Sequence, residues 1–292
     1  QAFLFFGLAI ILVALISFEI LKNKKLALIA AALFTTYPYI LFSILKLADF
    51  PRAIPAFHYQ MWINIGADYL SAVLLYLGFY IFIKRYNSGR LNLLFVSAVG
   101  AIIAAAALVR VANILYLPLI FLILIWLTPL EVSRDWRLPM RKRIGLLTGL
   151  KKYRESIGFG FAAFLVYLPQ WVYNFYFFGS PLTYGYRIKE LSGHGLETKI
   201  IGGWLSFDNV LIFFEKIWLN LPALLWVLPV LVVILMFGFW RLFSPYEGSP
   251  EGGKTEKVLA ITLLFWVLLN VGFYIFFVDA QSQLRYFIPS IP

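Results

Sequence analysis

Cysteine is absent from this chain, and histidine occurs only twice in its 292 residues. The first absence excludes disulfides and thiolate metal sites but leaves the compartment open, since a cysteine-free chain suits either redox environment. The second argues against a metal centre built from several histidines. Charge is scarce too, at 13% Asp, Glu, Lys and Arg, whereas hydrophobic residues make up 62% and mean hydropathy is +0.85. A water-soluble domain of that composition would lack the polar side chains to cover itself. The chain therefore reads as all-α, a polytopic transmembrane helix bundle forming a single domain over residues 1–292. It opens on Gln1 and stops at Pro292 within an apolar stretch, so truncation at both ends is expected.

Roughly 20 apolar residues cross a bilayer, which gives room for about eight complete spans plus the start of another. They fall at residues 2–22, 26–47, 63–86, 91–109, 111–127, 156–178, 219–240 and 258–278, with the last beginning near Tyr286. The net charge of +11 is segregated by loop: Lys24 and Lys25, then Lys84 and Arg85, then a dense basic run over residues 134–154. These loops alternate along the chain, so the positive-inside rule assigns them to the cytoplasm. The basic excess then sets orientation and attracts anionic membrane lipid, and nucleic acid is not expected as a partner.

The opposite face collects Lys46, Asp49, Arg52, His58, Asp68, Arg110, residues 179–208, Asp279 and Arg285. Asp68 opens a span, where an ionised carboxylate suits the helix dipole. It can equally serve as a general base, a metal ligand or an orienter of a polar substrate. Arg110 turns the chain tightly between two spans, and either snorkels to the headgroups or captures phosphate. Arg285, beside Tyr286, offers a second cation at the same depth. His58 is either a solvated loop residue or a catalytic one.

The run NFYFFGSPLTYGY, from Asn174 to Tyr186, carries an apolar helix end into a turn at Gly179, Ser180 and Pro181. Its rings suit an aromatic belt or the rim of a site. One motif is set aside. Gly248 to Thr255 reads GSPEGGKT and satisfies the P-loop pattern, but that loop needs a strand before it and a soluble helix after it. Here two expected spans flank it.

Four runs, in this order, carry a resemblance: GADYLSAVLLYLG at Asp68, ALVRVANILYLPLIFLIL at Arg110, PQWVYNFYFFGSPLTYGY, and LRYFIPSIP at the end. Together they resemble the GT-C superfamily of membrane glycosyltransferases, nearest the protein O-mannosyltransferase and lipid A aminoarabinose transferase branch. The resemblance covers nearly the whole chain, beginning at what looks like the family's third span. It implies transfer of a sugar from a polyprenyl-phosphate donor to a protein or lipid acceptor at the outer face of a prokaryotic plasma membrane. The family's first outer loop, which carries the base, would lie upstream of Gln1. Asp68 is similar to a second acidic residue near the reaction centre. Arg110 and Arg285 match lipid-phosphate ligands, and Asn174, Tyr184, Tyr186 and Tyr286 fall at the substrate rim. The resemblance names no cofactor with certainty and leaves a divalent metal open, with no residue assigned to one. A polytopic transporter or lipid flippase, and a non-catalytic membrane scaffold subunit, are the rival readings. Transport calls for ionisable groups or broken helices at mid-membrane depth, and few residues here qualify.

Overall fold

The computed structural model describes residues 2–47, 66–88, 92–132, 153–181 and 207–215, with scattered positions of helical backbone between 217 and 272. Its elements are α1 (Ala2–Leu21), α2 (Lys24–Leu47), α3 (Gly66–Asn87), α4 (Leu93–Val109), a 3-10 turn (Val111–Leu115), α5 (Tyr116–Val132), α6 (Arg154–Phe178) and α7 (Phe207–Glu215). The described residues form helices and turns, with no strand among them. Two of the helices, over Leu4–Leu21 and Arg154–Phe178, are long and apolar enough to cross a membrane. Helix also occupies the other four of the first six expected spans. The spans expected at 219–240 and 258–278 lie largely outside the described residues.

Polar side chains fix the helix ends. Asn23 caps α2, its Oδ1 accepting from the Lys25 and Leu26 amides at 3.0 and 3.3 Å. Asn92 caps α4 the same way, accepting from the Phe95 amide at 3.0 Å. At the far end of α6, Gly179 takes a left-handed backbone with φ 72°, and its amide donates to the Phe175 carbonyl at 2.9 Å. Only glycine adopts that conformation without a steric penalty.

Two departures from the sequence reading concern these ends. Arg110 does not turn directly into a second span: its backbone is extended, and the 3-10 turn intervenes before α5 begins at Tyr116. The polar loop expected to run to Asp208 gives way to α7 at Phe207, where Asp208 suits the helix start and apolar residues follow at helical spacing.

Close contacts set the helix directions. Asn87 Nδ2 donates to the Glu19 carbonyl at 2.9 Å, which brings the C-terminal ends of α1 and α3 together. Helix α4 returns after a short turn and packs along α6 and α3. A Cβ on Gly100 would lie 2.4 Å from the Phe159 carbonyl oxygen, and one on Gly158 would meet Leu93 and Ser97. Helices α4 and α6 thus run parallel with their backbones nearly touching, an approach that only small residues permit. Helix α5 runs back against α6, Phe121 lying beside Gly160.

One end of the bundle accordingly gathers Lys22, Lys24, Lys25, Lys84, Arg85 and Arg154, while Asp68, Arg110 and Gly179 lie at the other. Arg85 is stacked 3.5 Å from the centroid of Phe95, and Lys84 donates to the Tyr80 hydroxyl at 3.0 Å. Among the described residues, every Asp, Glu, Lys and Arg lies within a turn of a helix end. The interior is aromatic and aliphatic. Trp266, fully buried, packs between Phe79 and Tyr116 with ring centroids 4.5 and 4.3 Å away.

Candidate functional site at the polar end

Asp68 stands in the first turn of α3, and Arg110 caps the C-terminal end of α4, its amide donating to the Ala106 carbonyl at 3.0 Å. Because α3 and α4 are antiparallel neighbours, both residues fall at the same end of the bundle. A buried polar contact draws their elements together. Asn113, in the 3-10 turn, is 1% exposed; its Nδ2 donates to the Ser71 hydroxyl of α3 and to the Ala106 carbonyl of α4. Ser71 follows Asp68 by three residues along α3.

The backbone amide of Asn113 also donates to the Arg110 carbonyl at 3.0 Å. Through its backbone amide and its side chain, one residue therefore ties the arginine turn to the helix that bears the carboxylate. A guanidinium nitrogen of Arg110, Nη2, is itself buried. Sequence reasoning passed over both Asn113 and Ser71. The available signal was a lone amide in the otherwise apolar run after Arg110.

Asn174 is fully buried. Its Oδ1 accepts from Gln170 Nε2 at 2.8 Å, and its Nδ2 donates to the Pro181 carbonyl at 3.1 Å. It holds the exit turn folded back on the end of α6. The rings projecting from that end are Tyr173, Phe175, Tyr176 and Phe177, with Tyr176 81% exposed. His58, Tyr184, Tyr186, Arg285 and Tyr286 lie outside the described residues.

Between the 3-10 turn and α5 on one side and α6 on the other lies an apolar cleft of about 210 Å3. Ile114, Leu117 and Phe121 form one wall, and Gly160, Phe164 and Trp171 part of the other. Trp171 Nε1 is buried and makes no hydrogen bond among the described residues. Among those residues no three His, Asp or Glu side chains gather where they could hold a metal ion.

Chemically, the polar end offers a helix-start carboxylate residue, an arginine at a fixed turn and a buried amide joining them. Comparisons of the chain with protein-family models, curated proteins and solved structures find no match.

Proposed function

We propose that this chain acts as a multi-pass membrane glycosyltransferase of GT-C type, moving a sugar from a polyprenyl phosphate to a protein or lipid acceptor on the extracytoplasmic face. The observation that carries the reading is the Asn113 bridge, which gathers the Asp68 and Arg110 elements at the end opposite the basic cluster. A membrane setting is supported by large apolar side chains exposed on α1, α2 and α6, among them Leu4, Ile11, Leu28, Leu33, Phe161 and Val172. The positive-inside rule then puts the basic end in the cytoplasm. The resemblance in the four sequence runs supplies the reaction class.

The step is an inverting displacement. The acceptor oxygen bonds to the anomeric carbon while the bond from that carbon to the phosphate oxygen breaks, and the electron pair leaves with the phosphate. The acceptor's proton passes to a carboxylate. Negative charge grows on the leaving phosphate, so a guanidinium fixed there stabilises the transition state more than the ground state. Arg110, together with Arg285, holds the phosphate, and Asp68 assists the proton transfer. A transporter receives less support, because the described ionisable residues lie at helix ends rather than at mid-depth.

The test is transfer of a radiolabelled sugar from a polyprenyl phosphate by the full-length protein in vesicles. Arg110→Ala is expected to lower turnover by about 10² or more, the scale of removing one transition-state contact. Near-normal turnover in both Arg110→Ala and Asp68→Asn, with expression intact, contradicts the proposal.

A further inference from the structure

We propose that Asn113 is a positioning residue for the transfer reaction, fixing where the Arg110 guanidinium stands; this rests on the function proposed above and adds to it what holds the phosphate-binding arginine in place. Arg110 lies just past the last residue of α4 with an extended backbone, φ −146° and ψ 109°, outside any helical ladder. Its neighbours in sequence, Leu108, Val109, Val111 and Ala112, are apolar and supply no polar side chain to steady it.

Three hydrogen bonds close around it. The Arg110 amide donates to the Ala106 carbonyl at 3.0 Å, and the Arg110 carbonyl accepts from the Asn113 amide at 3.0 Å. Asn113 Nδ2 then returns to the same Ala106 carbonyl at 3.2 Å. The chain from Ala106 to Asn113 is thereby closed into a ring that contains Arg110, and the Ala106 carbonyl uses both of its lone pairs. The same Nδ2 donates to the Ser71 hydroxyl, which fastens the ring to α3. Asn113 is 1% exposed, so water does not compete for these bonds. An aliphatic side chain would fill this interior position with less desolvation but would leave the ring open.

Position decides what a guanidinium contributes at the leaving phosphate, since a misplacement of about 1 Å can cost about 10² in rate. Arg110 Nη2 is buried, so a shift of the turn carries the charged group with it. The ring accordingly acts on the reaction through Arg110.

The experiment uses the full-length protein in vesicles with a radiolabelled sugar on a polyprenyl phosphate, and expresses kcat per folded molecule counted by size-exclusion chromatography. Asn113→Ala is expected to lower kcat about 10²-fold and to change the donor KM by less than about threefold, because the contact weakened is one made in the transition state. Ser71→Ala, which keeps the ring and releases it from α3, should lower kcat about tenfold. In the Arg110→Ala background, adding Asn113→Ala should change kcat by less than about threefold, since no guanidinium remains to be positioned. A nitroxide attached at Arg110→Cys reads the same point without catalysis: its spectrum should be immobilised with Asn113 present and mobile once Asn113→Ala is added.

A parental kcat in Asn113→Ala beside an impaired Arg110→Ala overturns the inference and leaves the proposed function standing. Losses that multiply in the double variant overturn it as well. If Asn113→Ala fails to fold, the same cycle is run with Ser71→Ala, and multiplying losses there count equally against it. Should the parent protein transfer no sugar, the proposed function falls and the nitroxide spectra decide: an unchanged spectrum overturns the positioning of residue 110, and a mobilised one upholds it.

Discussion

Asn113 and Ser71 meet in the interior, the amide of the 3-10 turn donating to the hydroxyl of α3, and the same amide group also reaches the Ala106 carbonyl of α4. Removing it strands two acceptors in a buried setting. Asn113→Leu is expected to destabilise the protein by about 1–3 kcal/mol, and Ser71→Ala by less, since that change leaves Asn113 bonded to Ala106. Thermal unfolding in detergent measures both. A double variant no worse than Asn113→Leu alone would demonstrate the coupling.

Gly100 supplies a second prediction. Its would-be Cβ meets backbone, the Phe159 carbonyl oxygen at 2.4 Å, which no side-chain rotation can relieve. Gly100→Ala should therefore lower stability by about 1–3 kcal/mol by forcing α4 from α6. Gly7→Ala, with nothing among the described residues within 4 Å, is the comparison, and a helical alanine there should be neutral or stabilising.

Among the described residues, Trp266 is the largest fully buried side chain. Trp266→Ala opens a cavity between Phe79 and Tyr116, and a loss of about 3–5 kcal/mol is expected. The measurement is the denaturation midpoint beside that of Trp266→Phe, which keeps most of the ring contact and should lose less.

Gly179→Ala forces a left-handed backbone on a residue with a Cβ, costing about 1–2 kcal/mol. Asn174→Ala releases the same turn by another route, through its bond to the Pro181 carbonyl. Both changes should speed proteolytic cleavage near Ser180 while leaving cleavage near Lys22 unaltered.

What the sequence disclosed follows from what is local. Helix at the first six span positions could be read from apolar runs, and the stop at Gly179 from a residue suited to positive φ followed by Ser180 and Pro181. The end of α4 at Arg110 was legible as a break, but the 3-10 geometry after it was not, because Val111 to Leu115 continue the apolar pattern. Asn113 escaped notice for the same reason, since its meaning lies in Ser71, which is distant in sequence. Neither the contact of Gly100 with Phe159 nor the burial of Trp266 beside Tyr116 leaves a periodic trace. Pairing between helices far apart in the chain depends on shape, and shape is not written in hydropathy.

On the proposed function, the end bearing Asp68 and Arg110 faces outward and the basic end faces the cytoplasm. The chain has no cysteine, so single cysteines report without background. Ser180→Cys, at the polar end, and Lys25→Cys, at the basic end, are to be treated in intact cells with a membrane-impermeant maleimide. The account predicts that Ser180→Cys is labelled in intact cells and Lys25→Cys only after permeabilisation. Labelling of both from the same side, or in the reverse order, would contradict it.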